Sequence, residues 1–156
     1  MSIITEYIDQ EVNVFNRNFC GIFVGRVGTG KSWSALRYAE VIDPTFNIDR
    51  VVFKISDLLN LAKTLDPGKA IIFDEAGIDA SNRESYMNKL NKAFSKLLQT
   101  WRHRRLILLV TVPDIKYIDA GVRKMFNILF ESAKVIKTKG VVAIKAKYIQ
   151  VNYQSG

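Results

Sequence analysis

The sequence predicts an α/β domain in which a mostly parallel, five-stranded sheet lies between layers of helices. Short apolar runs rich in β-branched and aromatic residues alternate along the chain with segments of helical periodicity. The internal runs are almost continuous in Val, Ile, Leu and Phe, as in strands that are buried on both faces. The chain has 156 residues, of which 48% are hydrophobic, so one domain with its own core is expected.

The elements follow from these patterns in order. Strands are predicted over residues 20–25, 50–55, 70–74, 106–112 and 127–136, and helices over 31–42, 56–65, 86–104 and 114–125. The third helix has the strongest pattern, because apolar residues recur there at helical spacing: Leu90, Phe94, Leu97, Leu98 and Trp101.

The two ends of the chain differ from this core, which is predicted over about 18–136. Residues 134–153 alternate in polarity around Lys139 and Gly140, which predicts a closing antiparallel hairpin. The first fifteen residues fit a short helix packed on an edge of the sheet. The whole chain, 1–156, is thus predicted to be one domain.

Charge and composition narrow the function classes. A formal net charge of +8 and a pI near 9.6 favour a polyanionic partner, with nucleic acid ahead of an acidic membrane surface. Cys20 is the single cysteine and falls in the first apolar run, which indicates a buried, inert thiol and a reducing compartment. No apolar run approaches the roughly 18 residues of a membrane span. We expect a cytoplasmic protein.

Residues 25–32, GRVGTGKS, match the pattern G-x-x-x-x-G-K-[ST] between a predicted strand and a predicted helix. Glycines at three positions allow the backbone N–H groups to point at a phosphate, reinforced by the positive end of the helix dipole: Gly25, Gly28 and Gly30. The alternative is a glycine-rich turn without a ligand. In the context of strand and helix, the segment predicts a phosphate-binding loop.

Individual residues of this loop have expected roles. Lys31 would reach the β- and γ-phosphates of ATP, and Ser32 would be a ligand of Mg²⁺. The other residues expected to contact the nucleotide flank them along the loop: Gly25, Arg26, Val27, Gly28, Thr29, Gly30 and Trp33.

Residues 70–77, AIIFDEAG, suggest which reaction follows. Asp74 ends a buried strand, where open α/β sheets build their sites, and suits the Mg²⁺ shell. Glu75 follows at the position from which a carboxylate can polarise a water that attacks the γ-phosphate. The alternative is a solvated acidic pair at the end of a strand.

Two other nucleotide enzymes fit less well. Residues 74–77 also satisfy the D-x-x-G of GTPases, but the nearest guanine-reading tetrapeptide, 91–94, has Phe94 where the base-reading carboxylate is needed. That Phe belongs to the apolar face of the third helix. A small-molecule kinase would usually carry an arginine-rich lid and no Asp-Glu pair on this strand. An ATPase therefore ranks first.

Thr111 lies near the end of the fourth apolar run. If that strand lies beside the first, the Thr111 hydroxyl could bond the γ-phosphate or the attacking water. A polar residue there resembles the sensor of additional-strand P-loop ATPases. The alternative is a β-branched residue chosen for strand propensity.

Arginines are predicted at the far end of the domain. A helix of a βα unit returns to the edge opposite the site, so Arg102 and Arg123 would lie far from their own nucleotide and close to that of a neighbouring subunit, as arginine fingers. Residues 117–130 resemble the finger-bearing stretch of ring ATPases, which favours Arg123 slightly over Arg102. For Arg102, Arg104 and Arg105 the alternatives are helix-dipole compensation and solvation.

The order of segments 25–32, 70–77, 81–105 and 106–126 resembles the FtsK/HerA-type P-loop ATPases. The resemblance covers roughly residues 18–136 and is greatest to small archaeal, plasmid or viral members related to DNA-packaging, conjugation and zonular-occludens-toxin-like ATPases. It implies a RecA-like sheet, a hexameric ring with ATP at the subunit interfaces, and double-stranded DNA in its centre. Compared with the large translocases, we expect no membrane anchor and no DNA-orienting C-terminal domain in these 156 residues. The expectation leaves open a bare motor, a subunit that docks on another protein, or the ATPase part of a longer product.

Two functions therefore stay open at this stage. The first is ATP-driven translocation or packaging of double-stranded DNA by a homo-oligomeric ring. Basic residues at 89–105 and 134–147 would grip the DNA, and the loop at 79–83 would couple ATP hydrolysis to its movement. The second is an ATPase that assembles a viral, plasmid or membrane-associated protein complex without DNA. For the hairpin lysines, the alternative is the solvated face of an amphipathic sheet.

Overall fold

A computed structural model describes residues 2–74 and 83–150, with the backbone alone at 133, 134 and 141–150. Its strands are β1 Phe19–Val24, β2 Val51–Val52, β3 Ala70–Asp74, β4 Ile107–Val112, β5 Ile128–Thr138 and β6 Val141–Gln150. Its helices are α1 Ile3–Asp9, α2 Lys31–Ile42, α3 Ile55–Thr64, α4 Arg83–Thr100 and α5 Ala120–Arg123.

The strands form one sheet in the order β2-β3-β4-β1-β5-β6. The first five pair in parallel, which confirms the predicted parallel sheet. β6 runs antiparallel to β5 after a turn at Lys139 and Gly140, where Gly140 has φ +76°. β4 lies between β1 and β3, so the strand that carries Thr111 is a neighbour of both other strands that lead into the site.

Helices cover both faces of the sheet, which explains why the strands lack a polar face. Cys20 and Ile22 of β1 belong to the core under α3, α4 and α5. Phe19 and Phe23 belong to the core under α1 and α2, where the Phe23 ring stacks on Phe130 with centroids 4.4 Å apart. Successive side chains of a strand point to opposite faces, so every residue of the strand meets apolar neighbours.

The apolar pattern of the third predicted helix is confirmed in α4, whose Leu90 and Phe94 are fully buried. The helix nevertheless ends at Thr100 rather than at 104, so the arginines that follow lie in the loop before β4.

Cys20 is buried as predicted, and burial raises the pKa of its thiol to about 12. A thiol with that pKa is unreactive near neutral pH.

Two predicted elements are wrong in length. The strand predicted over 50–55 has only Val51 and Val52, because Phe53 is half-exposed and Lys54 already caps α3. The helix predicted over 114–125 consists of a 3₁₀ turn, Ile115–Tyr117, and the four-residue α5. Side-chain oxygens interrupt it, because Asp114 accepts the N–H of Lys116 and Asn91 accepts the N–H of Asp119.

The N-terminal segment packs on a face of the sheet and not on an edge. α1 continues into a π-helical turn at Gln10–Val14, and together they bury Ile8 and Val12 in the core beside α2. The ring of Tyr7 meets Phe19 edge to face at 6.1 Å. The segment therefore completes the helical layer on that face.

A buried charged cluster ties the end of α2 to the start of β3. The carboxylate of Asp43 accepts hydrogen bonds from the backbone N–H of Ala70 at 3.0 Å, from Thr45, and from the guanidinium of Arg50 at 2.6 Å. Burial by itself would raise the pKa of Asp43, but these hydrogen bonds and the Arg50 charge hold that pKa below its ordinary value. The cluster thus fixes where β3 enters the sheet.

Across residues 2–74 and 83–150, no helix combines the length and the apolar character that a membrane crossing needs.

Candidate functional site

The loop between β1 and α2 has a backbone that its glycines make possible. Gly28 and Gly30 have φ of +81° and +83°, in the left-handed region, and Gly30 caps α2. At Gly25, an added Cβ would lie 2.7 Å from the Thr29 hydroxyl and 2.8 Å from the carbonyl oxygen of Ser132. The backbone conformation therefore favours glycine at positions 28 and 30, and the close approach of β5 requires glycine at position 25.

Polar groups of the loop converge on one carbonyl oxygen. The Arg26 carbonyl accepts hydrogen bonds from the Thr29 hydroxyl at 2.7 Å, from the Thr29 N–H at 3.3 Å, and from Nζ of Lys31 at 2.9 Å. The Lys31 ammonium thus lies over the loop, at the N-terminus of the twelve-residue helix α2. A helix N-terminus with an ammonium group beside it is a favourable place for a phosphate.

The loop is open to solvent on its outer side. Val27 is 93% exposed and Trp33, in the first turn of α2, is 74% exposed. Arg26 is also exposed, whereas Thr29 and Ser32 are half-buried. Val27 and Trp33 are large apolar side chains on the surface, available to contact a bound nucleotide or another molecule.

Asp74 and Thr111 meet at the carboxyl edge of the sheet. The two residues are register partners on β3 and β4, and Thr111 is in turn opposite Phe23 of β1. The Thr111 hydroxyl, whose residue is 1% exposed, donates a 2.5 Å hydrogen bond to Oδ1 of Asp74. Sequence reasoning placed both residues near the site but missed this bond, although both lie at the carboxyl ends of their strands.

Ser32 and Asp74 suit a magnesium ion by the chemistry of their donors, which are a hydroxyl and a carboxylate oxygen. Within the described residues, no group of three or more His, Cys, Asp or Glu side chains could hold a metal. Mg²⁺ in nucleotide enzymes is usually held by one or two protein ligands together with substrate phosphates and water. The donor set therefore fits Mg²⁺ that arrives with a nucleotide.

The predicted catalytic Glu75 lies outside the described residues, as does most of the predicted coupling loop, including Asp79, Ser81 and Asn82. Its neighbour Asp74 is the last residue of β3. Glu75 therefore stays a prediction from sequence.

Arg102 lies at the other end of the domain. It lines a cavity of about 380 Å³ together with Arg17 and Lys124, and with Cys20, which stands near the amino end of β1. The six residues of β1 span roughly 20 Å, and the phosphate-loop candidate follows their opposite end. Arg102 is thus separated from the loop of its own chain, as the sequence predicts.

The charges in this cavity are mostly positive. Glu11 also lines it, with Oε2 3.9 Å from a guanidinium nitrogen of Arg17. Burial raises the pKa of Glu11, and the Arg17 charge opposes that rise. Arg17, Arg102 and Lys124 outnumber this carboxyl, so the cavity suits an anionic group.

The other candidate arginines bind loops of their own chain. Nε of Arg123 donates to the carbonyl of Ile118 at 2.7 Å. Arg104 donates to the carbonyls of Lys63 and Leu65, and Arg105 donates to the side chain of Asn16. These bonds hold Arg104, Arg105 and Nε of Arg123 against their own chain.

The tetrapeptide considered as a guanine reader is structural. Asn91 is buried and donates to the carbonyls of Met87 and Tyr117. Phe94 is fully buried between the rings of Phe73 and Phe126, in edge-to-face contact with both. The interpretation that Phe94 belongs to the core, and not to a base-binding site, is confirmed.

No protein-family model matches the sequence, and no curated protein was found to be similar to it. Among solved structures, the chain is similar to the FIGL-1 AAA domain in complex with ADP, with 17% identity and a TM-score of 0.49 over 82% of this chain and 51% of that one. The chain thus spans about half the length of that structure.

Two further structures are similar to a comparable degree. The genome packaging NTPase B204 of Sulfolobus turreted icosahedral virus 2, in complex with ATP-gammaS, has 15% identity and a TM-score of 0.48 over 74% of each chain. The N-terminal domain of zonular occludens toxin from Neisseria meningitidis has 16% identity and a TM-score of 0.48 over 84% of each chain.

Proposed function

We propose that the protein binds ATP and Mg²⁺ at the loop 25–32 and hydrolyses the bond between the β- and γ-phosphates of ATP. The observation that carries the proposal is the convergence of three adjacent strand ends. β1 leads into the loop, β3 ends at Asp74, and β4 between them supplies the Thr111 hydroxyl to that carboxylate. Open parallel sheets build their ligand sites at this edge.

Each group has a defined task in hydrolysis. Lys31 places a positive charge against the β- and γ-phosphate oxygens, where negative charge grows in the transition state. Glu75 accepts a hydrogen bond from the attacking water and orients it toward phosphorus. Bound Mg²⁺, held by Ser32 and Asp74, would neutralise phosphate charge. Thr111 holds the Asp74 carboxylate in one orientation.

The site is completed, in this proposal, by Arg102 of a neighbouring subunit. Arg102 is exposed and stands at the edge of the domain opposite its own loop. An arrangement of subunits around a closed ring would bring that edge to the loop of the next copy. A hexamer is the ring size that the FtsK/HerA resemblance implies, with Arg123 as the alternative finger.

We propose double-stranded DNA as the cargo of this ring, in translocation or packaging. The net charge of +8 supports a polyanion, and translocases grip phosphates without reading bases. The alternative is an ATPase that assembles a protein complex. Exposed Val27 and Trp33 beside the loop favour it, because an apolar surface fits a protein partner.

The test is ATP turnover with and without linear duplex DNA at several protein concentrations. We expect turnover that needs Lys31 and Glu75, rises with protein concentration and is stimulated by DNA. Lys31→Ala and Glu75→Gln serve as inactive controls. Turnover that DNA does not stimulate would contradict the translocase proposal and favour the assembly ATPase. Absence of turnover in the wild-type protein would contradict both proposals.

A further inference from the structure

β5 and β6 extend beyond the sheet as a two-stranded arm. β1 pairs with β5 only from Ile128 to Glu131, whereas the pairing of β5 with β6 continues to Thr138. We call residues 132–146, which include the turn at Lys139 and Gly140, the ribbon. Because β5 runs parallel to β1, the ribbon leaves the sheet at the edge where the loop 25–32 lies. Seven residues of strand reach about 23 Å.

The ribbon is basic. Residues 132–146 contain four lysines, at 134, 137, 139 and 145, and no acidic residue. Lys134 and Lys145 are direct register partners across the two strands. A basic segment without carboxylates suits an anionic ligand.

The tip of the ribbon, as far as its side chains are described, is mostly polar and accessible. Lys137, Thr138 and Lys139 are exposed, and Gly140 completes the turn. Ile136 is exposed to 40%, so the described tip presents one partly exposed apolar side chain among cationic and hydroxyl groups. The exposed cationic and hydroxyl groups at these positions suit a hydrated phosphate backbone.

The base of the ribbon touches the phosphate-loop candidate. The Ser132 carbonyl is so close to Gly25 that a Cβ there would lie 2.8 Å away, and the pairing with β6 shifts register between Ser132 and Lys134. The Ser132 hydroxyl is buried and has no hydrogen-bond partner among the described residues. A change at the loop on nucleotide binding would therefore act directly on the base of the ribbon.

We propose that the ribbon is a DNA-binding arm whose lysines contact the phosphate backbone of duplex DNA. A two-stranded ribbon fits the major groove of B-DNA, which is about 12 Å wide. The inference rests on the proposed function for the choice of DNA as ligand. It assigns the contact to β5 and β6 rather than to the basic residues of 89–105.

The experiment compares the double variant Lys137→Glu with Lys139→Glu against a charge-matched control, Lys54→Glu with Lys63→Glu. Lys54 and Lys63 are exposed, one as the N-cap of α3 and the other in its last turn, near β2 at the opposite side of the sheet. Binding of a labelled linear duplex is measured by fluorescence anisotropy over a range of salt. Circular dichroism establishes that both variants fold.

We expect the ribbon variant to bind DNA at least about 10-fold more weakly, with a salt slope reduced by about two, and the control to bind as the wild type does. Equal binding by the ribbon variant and the wild type would overturn the inference. Wild-type protein that binds anionic phosphatidylserine vesicles and not DNA would also overturn it.

ATP turnover of the wild type, measured on the same preparation, separates this inference from the proposed function. If the wild type binds DNA through Lys137 and Lys139 but does not hydrolyse ATP, the proposed ATPase activity is contradicted and the DNA-binding role of the ribbon is supported. If the wild type hydrolyses ATP and the ribbon variant binds DNA as tightly as the wild type, the ATPase activity is supported and the DNA-binding role of the ribbon is contradicted.

Discussion

The hydroxyl of Thr111 donates a hydrogen bond to the carboxylate of Asp74 across two neighbouring strands. Thr111 is buried at the end of β4, and Asp74 is the last residue of β3. A buried hydroxyl that bonds a carboxylate restricts the rotation of that carboxylate. The bond thus joins the predicted metal ligand to the strand beside the phosphate-loop candidate.

Thr111→Val should lower ATP turnover by about 10- to 100-fold, because the isosteric valine keeps the strand but releases Asp74. The Mg²⁺ concentration for half-maximal turnover should also rise. Thr111→Ser retains the hydroxyl and should restore both quantities substantially. A valine variant with unchanged Mg²⁺ dependence would show that Thr111 serves strand packing alone.

Lys31→Ala should reduce turnover by about 100-fold or more, because it removes the positive charge closest to the expected phosphate position. Lys63→Ala, at an exposed position near the end of α3, is the matched control and should leave turnover unchanged. Turnover is measured from phosphate release at saturating ATP. Comparable turnover in the two variants would exclude the loop as the catalytic site.

Gly25→Ala should weaken nucleotide binding more than Gly28→Ala does. The added methyl at 25 meets the Ser132 carbonyl and the Thr29 hydroxyl, whereas at 28 nothing lies within 4 Å and only the left-handed backbone opposes it. Gly25→Ala should also lower the unfolding midpoint, since the backbone of β5 must shift. Fluorescent-nucleotide titration and thermal unfolding check both effects. Equal effects of the two variants would contradict the close approach.

Asp43→Asn should destabilise the fold by about 3 kcal/mol near neutral pH, because Arg50 would stay buried without its anionic partner. The side chain of Asp43 is 2% exposed and that of Arg50 is 12% exposed. The measurement is the free energy of unfolding from urea titration, with the exposed pair member Glu40→Gln on α2 as the control.

The pH dependence of the same variant has a definite sign. The pKa of Asp43 is lowered in the folded state, so its contribution to stability is fully present above its ordinary pKa of 3.8 and is lost as the pH falls toward the folded-state pKa. The difference in stability between wild type and Asp43→Asn should therefore shrink below pH 3.8. A stability difference that stays constant below pH 3.8 would contradict a stabilising role for the charged form of Asp43.

Arg102→Ala should lower turnover by about 10³- to 10⁵-fold if this arginine completes a neighbouring site. Mixing it in equal amounts with Lys31→Ala should restore roughly a quarter of the wild-type turnover, because intact Lys31 and intact Arg102 then meet at some interfaces. Arg37→Ala, an exposed arginine on α2, is the control. No recovery on mixing would mean that Arg102 does not act between subunits.

Much of the fold was predictable from local pattern. The strand at 70–74, the helix at 31–42 and the buried face of α4 follow from apolar periodicity, which depends only on residues close in sequence. The phosphate-loop candidate was predictable for the same reason, because its glycines, Lys31 and Ser32 are contiguous. Prediction failed at 114–125, where Asn91, from another helix, supplies the bond that ends the local helix.

The sequence by itself determined the parallel strands, the loop and the candidate residues, since each depends on short-range geometry and side-chain chemistry. Only the tertiary structure decided which of them meet. The insertion of β4 between β1 and β3 joins Thr111 to Asp74, and the length of β5 projects the ribbon beside Gly25. Strand order and register depend on packing between distant segments, and local sequence does not encode that packing.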